Sequence, residues 1–355
     1  AKHVRVDALS RREFVDALDK LIEEVSTLAD EIEKHESRSE EMPGLLARAN
    51  GIAGRLSDWR DDSRADLIRW ADVSANGWQL HATPLSVAEI FKKETESSAR
   101  SWIFTSATLS AGGDFSLFAR QLGLESAKAQ SWASPFDYAN AGCIYVPRNL
   151  PAPNSPEHTK AVINEALELV TLSGGRAFLL FTSLRALRQC AEALPAMLRA
   201  RDLDFPVLTQ NDAPKGELLR RFRELGNAVL IGSQSFWEGV DVAGDALSLV
   251  VIDKLPFAPP DDPVLAARMK HLEEQGGSPF MDWQIPQAAI SLKQGAGRLI
   301  RSETDRGVLA ICDDRLVTKG YGRILRASLP PMPFTRERDV VGRFFETQRT
   351  WRAGE

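Results

Sequence analysis

Cysteine is scarce in this 355-residue chain. Its three copies, Cys143, Cys190 and Cys312, are far apart, with no CxxC pair and no Cys/His grouping at zinc spacing. That excludes a zinc module and a disulfide framework, and it points to buried, reduced thiols in a cytoplasmic protein. No apolar run approaches the roughly 18 residues of a membrane span. An overall positive charge is also missing: the formal net charge is -5. A basic patch for a polyanion must therefore be local. Residues 281–355, with 13 Lys+Arg against 9 Asp+Glu, are the place with a small excess. There is no internal repeat and no low-complexity tract. The first residues, AKHVRVDALSRREF, have no apolar signal core and no initiating Met, and read as a cut or processed start.

What is present divides in two. Residues 1–75 read as an all-helical segment. Phe14, Leu18, Leu21, Val25, Leu28 and Ile32 recur at helical steps. Ser10 is a candidate N-cap with Glu13 three residues on, and Pro43-Gly44 separates this helix from the next. Beyond Gly77, short apolar runs end in small or polar residues: SWIFTSATL (101–109), RAFLLFTS (176–183), NAVLIGSQS (227–235), LSLVVIDKLP (247–256) and GVLAICDDR (307–315). Such runs suit strands of a parallel sheet covered on both faces. Helical stretches at 160–172, 183–198 and 215–226 alternate with them, so the expected class is α/β. The proline-rich VPRNLPAPNSPE (146–157) reads as a linker, with a domain boundary between residues 150 and 151. In layered α/β folds ligands bind beyond the carboxyl ends of the strands, which directs attention to the tails TSAT, FTS, GSQS and DDR.

Four segments carry chemistry. In QGAGRLIR (294–301), Gly295 and Gly297 let the backbone approach a partner. Arg298 and Arg301, three apart, would share a face if helical. Arginine offers permanently charged, forked donors that match phosphate oxygens; the alternative is a helix-end pair of solvated arginines. In GSQSFWEGVDVAGD (232–245), Glu238 and Asp241 flank Gly239, either as functional carboxylates or as turn caps. In LFTSLRAL (180–187), Thr182 and Ser183 open a helix, where free N–H groups attract an anion and where ordinary N-caps also sit. Ser106, Ala107 and Thr108 of FTSATL follow an apolar run, as a hydroxyl relay or a plain strand-end turn. Of the eight tryptophans, Trp237 is the candidate for base stacking.

In this order, with KLPF between the last two, these segments resemble the later motifs of superfamily 2 DNA helicases. They resemble most the iron–sulphur branch of DinG and XPD type, and within it the YoaA kind. The resemblance covers about residues 77–330. It implies RecA-like domains, with the C-terminal part of domain 1 over 76–150, domain 2 over 151–355, and the end of an arch-type helical insertion over 1–75. It implies that Arg301 acts as an arginine finger on ATP, with Arg298 a second phosphate contact and Gln294 positioning the site. Glu238, Gly239, Asp241 and Gly297 would lie at the nucleotide. Thr182, Ser183, Gln234, Ser235 and Trp237 would lie along single-stranded DNA, and Ser106, Ala107 and Thr108 would couple the two. It further implies 5′-to-3′ helicase activity in repair or replication, and a clamp-loader accessory subunit as partner through the C-terminal tail.

The chain departs from the family in what it lacks. It has no G-x-x-x-x-G-K-[ST] loop for ATP phosphates, no DEAH-type motif for Mg²⁺ and no four cluster cysteines for [4Fe–4S]. The expectation is a C-terminal portion that does not hydrolyse ATP alone and holds no metal of its own. The competing reading is a non-catalytic DNA- and partner-binding module. The tail has Val340, Val341, Phe344, Phe345 and Trp351 among arginines, a stripe that more often packs on its own domain and that, if free, would dock a partner groove. A nucleotide-dependent ligase or transferase fits the sheet but leaves QGAGRLIR and WEGVDVAGD unexplained.

Overall fold

The computed structural model describes residues 2–4, 12–61, 63–64, 66–74, 77–97, 100–110, 112–233, 236, 246–259 and 262–353. The chain forms two compact units: residues 1–100, 121–123 and 258–279, and residues 101–120, 124–257 and 280–355.

In the first unit, helices α1 (Arg12–Glu33) and α2 (Met42–Arg60) pack together. Pro43 stands in the first turn of α2, where its missing N–H costs nothing. Both helices lie on a three-stranded antiparallel sheet of β1 (Lys2–Val4), β2 (Leu67–Ser74) and β3 (Gly77–Pro84). Leu18, Trp59 and Ala71 form its small core, with Phe14 against it. The Trp59 indole donates to the His81 carbonyl at 2.9 Å, tying α2 to β3. The segment is thus not all helical as the sequence suggests. LIRWADVS pairs antiparallel with β3 over its full length. Ser10 lies outside the described residues.

The second unit is built on a seven-stranded sheet. Its strands are β4 (Gly142–Tyr145), β5 (Ala177–Phe181), β6 (Val207–Thr209), β7 (Val229–Ser233), β8 (Leu249–Ile252), β9 (Gly307–Ile311) and β10 (Phe334–Thr335). The order is β10-β4-β9-β8-β5-β7-β6, and every pairing is parallel. Alternate residues supply two separate cores. Phe178 and Leu180 of β5 face one, with Leu218 and Phe222 of α8 (Lys215–Leu225) and Leu292 of α10 (Ile285–Ala296). Leu179 and Phe181 face the other, with Val162 of α6 (Pro156–Ser173), Leu187 of α7 (Leu184–Arg199), and Val341 and Phe345 of α13 (Arg338–Ala353). This double cover explains why the strands read as continuous apolar runs.

Two expectations change. Residues 101–106 form no strand; Trp102, Ile103 and Phe104 are exposed, Ile103 at 84%. An apolar run becomes a strand only beside a pairing edge, and no described strand pairs there. The proline-rich stretch is not a free linker between domains. It joins β4 to α6 inside one unit, and Arg336 donates to the carbonyls of Val146 and Pro147 while His158 meets that of Pro151 at 2.9 Å. The apolar stripe of the C-terminal tail, by contrast, packs on its own unit as such a stripe usually does: Val341 and Phe345 are buried and Arg338 pairs with Glu165 of α6. The side chain of Trp351, at the far end of that stripe, lies outside the described residues.

The turn from α6 to β5 offers a stability test. Gly174 and Gly175 both have positive φ, at 69° and 76°. A Cβ on Gly174 would meet open space, whereas one on Gly175 would lie 1.9 Å from the Asn227 carbonyl oxygen. Gly174→Ala should cost about 1–2 kcal/mol, the penalty of the left-handed conformation. Gly175→Ala should cost clearly more, because the backbone leading into β7 must also shift. Urea unfolding of the two variants checks the order.

Candidate functional site

A doubly covered sheet leaves polar chemistry only its two ends. At the carboxyl end, β5 runs into α7 through Thr182 and Ser183. The Ser183 hydroxyl caps α7 by accepting from the Ala186 N–H at 3.2 Å. Thr182 is held differently. Its N–H and hydroxyl both meet the carboxylate of Asp253, at 2.9 and 3.2 Å. The same carboxylate accepts the N–H of Lys254 at 2.9 Å. Asp253 follows β8 and is 3% exposed. Burial pushes its carboxyl up to about 6, against its N–H donors and the Lys254 charge, which favour ionisation.

A second buried carboxylate stands at the end of β9. Asp313, with no exposed surface, accepts the Leu255 N–H at 2.9 Å and is gripped by the Arg315 guanidinium at 2.6 Å. Arg315 in turn lies over the Phe257 ring at 5.4 Å. The KLPF and CDDR segments, 58 residues apart in sequence, are therefore one structural unit. Sequence reasoning singled out the DDR tail that holds Asp313 but assigned a role to neither aspartate. Each follows an apolar run at a strand end, the position where a lone carboxylate has backbone N–H groups to accept.

The arginine segment is at the opposite end of the sheet. α10 stops at Ala296, and residues 297–299 form a turn. Arg298 and Arg301 therefore do not share a helical face, because Gly297 ends the helix before either residue. The loop is fixed instead by Asp305, whose carboxylate accepts the N–H groups of Arg301 and Ser302 at 2.7 and 2.8 Å. Arg301 lines a cavity of about 820 Å³ together with Gly297, Ala107, Trp132 and Tyr138. Burial lowers the pKa of its guanidinium, opposed by Asp305. Arg298 and Gln294 are half-buried and do not line this cavity. The Ser106 hydroxyl lies 3.2 Å from that of Thr108, a local turn beside it. Gln234, Ser235, Trp237, Glu238, Gly239 and Asp241 lie outside the described residues.

Asp253 gives this geometry a pH signature. Its carboxyl is raised in the folded state, so its contribution to stability is full below the ordinary carboxylate range. That contribution is lost as pH rises through about 6. Asp253→Asn keeps an acceptor for the two N–H groups but cannot ionise. The variant should gain on the parent protein by about 1–3 kcal/mol between pH 4.5 and pH 7.5. Chemical denaturation at both values measures the difference, and equal pH dependence in the two proteins would contradict this reading.

Residues 166–332 match the helicase C-terminal domain model. The chain is 44% identical over 300 residues to the ATP-dependent DNA helicase YoaA of Escherichia coli, covering 84% of this chain and 46% of that protein. It is 40% identical over 332 residues to YoaA of Haemophilus influenzae, covering 94% and 51%. It is 43% identical over 256 residues to the ATP-dependent helicase DinG of Mycobacterium tuberculosis, covering 71% and 38%. The chain thus spans about half the length, or less, of the curated relatives it matches. A solved structure of Xpd4 from S. tokodaii is similar in fold, with a TM-score of 0.53 at 14% identity over 84% of this chain and 59% of that one. With its helicase C-terminal domain and its YoaA and DinG relatives, the chain belongs to the DinG-type helicases and is YoaA-like.

Proposed function

We propose that the chain forms the motor half of an ATP-dependent 5′-to-3′ DNA helicase acting in DNA repair or replication. The observation that carries this reading is the cavity at the amino end of the sheet, where Arg301 and Ala107, from segments almost 200 residues apart, line one space. Arg301 is half-buried, and Asp305 fixes its backbone. A guanidinium so held can stabilise charge on a transferring phosphoryl group. Arg298 and Gln294 would join it only as the site closes on nucleotide. In this reading Glu238, Gly239 and Asp241 lie at the nucleotide, and Gln234, Ser235 and Trp237 at DNA.

Bound MgATP supplies the phosphoryl group and the charge that Arg301 meets. The residues present fit its anionic end, with cations on the cavity wall. Among the described residues no group of His, Cys, Asp or Glu is placed to hold a metal. In this reading the phosphate-binding loop, the metal-binding acidic motif and the [4Fe–4S] cysteines would come from a longer protein of which these residues are part. Single-stranded or forked DNA would cross the carboxyl end, where Ser183 and the α7 N-terminus offer N–H groups to a phosphate. The Asp253 carboxylate anchors Thr182 behind them.

A clamp-loader accessory subunit, or any other partner of the binding-module reading, would have to use the exposed side of α13, around Arg343 and Glu346. The opposite side is core. No described helix is long and apolar enough to cross a membrane. A cytoplasmic place of action, at the nucleoid, belongs to the same proposal.

Two outcomes are expected. In the full-length protein, Arg301→Ala should lower single-stranded-DNA-stimulated ATP turnover by about 10³-fold or more. The 355-residue chain alone should show no turnover but should bind single-stranded DNA weakly, with affinity falling steeply as salt rises. A phosphate-release assay and a salt titration of binding check these. Turnover by the chain alone that depends on Arg301, or salt-independent binding, would contradict the proposal.

A further inference from the structure

The same cavity has a second cation in its wall. Lys293, in the last turn of α10, is half-buried and lines the space with Arg301. Elsewhere in this unit the half-buried Arg315 has a carboxylate partner, Asp313. The Lys293 ammonium has no hydrogen bond or ion pair among the described residues. Burial is the one influence on its titration, and it lowers it. Leaving a cation half-buried without a counter-charge is unfavourable. A site that keeps one beside an arginine is arranged for an anion that arrives. Gly297, whose N–H donates to the Lys293 carbonyl at 2.9 Å, is also in the wall and contributes no side chain to the space the two cations face.

We propose that Lys293 is a second phosphate ligand of the nucleotide site, sharing with Arg301 the phosphate oxygens of a bound nucleoside triphosphate. This rests on the ATP reading above and adds a division of labour to it. An ammonium is a compact point charge with three rotatable donors, suited to holding an anion without demanding one geometry. A guanidinium is a rigid fork suited to oxygens arranged as the transferring group is. Lys293 then acts mainly in ground-state binding and Arg301 mainly in the transition state, which separates their kinetic effects.

The test uses the full-length protein and single-stranded-DNA-stimulated ATP hydrolysis. Lys293→Met should raise KM for ATP about 10-fold, the scale of one charge-assisted contact, with a smaller effect on kcat. Lys293→Arg should recover most of the loss. Lys293→Met should not lower Tm, because it removes an uncompensated charge and keeps the apolar stem, so lost affinity is not lost folding. Single-stranded DNA binding without nucleotide should stay at the parent value. If KM is unchanged in Lys293→Met while Arg301→Ala abolishes turnover, the lysine assignment falls and the helicase reading stands. If Lys293→Met weakens DNA binding without nucleotide and leaves KM alone, the anion is a DNA phosphate and the assignment is again overturned. If neither variant alters turnover, the ATP reading itself fails.

Discussion

The molecule's chemistry is constrained by the burial of a parallel sheet on both faces. Phe178 and Leu180 go to one core, Leu179 and Phe181 to the other, and no polar side chain can occupy the faces without cost. Functional groups are thereby driven to the strand ends. Asp253 and Asp313 close the carboxyl end, each collecting backbone N–H groups that the ending strands leave unpaired. Asp305 does the same at the amino end, ahead of β9. At about 3.3 Å per residue, the five residues of β9 hold the two ends about 16 Å apart.

That separation gives the proposed function its form. One end presents capped helix termini and hydroxyls, which suit a phosphate backbone of variable sequence. The other presents an arginine and a lysine on a cavity wall, which suit a compact polyanion. A rigid sheet between them can pass a change of occupancy from one to the other without a flexible intermediary. The buried pairs at the ends, Asp313–Arg315 above all, stabilise the loops from which each ligand would be met.

Much of this was legible in the sequence. The runs around β5, β7, β8 and β9 announced themselves because double burial demands uninterrupted apolar residues. The helices between them had clear periodicity. β4, β6 and β10, of two to four residues, are too short to leave a pattern. Residues 101–106 were misleading because apolar character reports a tendency to be buried and not the presence of a pairing edge. β2 was hidden by the helices before it. Within the site, Arg301 was legible through its motif. Asp253, Asp305, Asp313 and Lys293 were not, since a single charged residue beside a motif gains meaning only when its neighbours in space are known.

That the two ends of the sheet serve different ligands is tested most directly by a pair of equilibrium titrations on the full-length protein. One uses a non-hydrolysable ATP analogue and the other single-stranded DNA at fixed salt. Both are carried out on Arg301→Ala and on Ser183→Ala. A crossed pattern is expected: Arg301→Ala weakens the nucleotide and spares DNA, and Ser183→Ala weakens DNA and spares the nucleotide. Equal weakening of both ligands by either variant would contradict it.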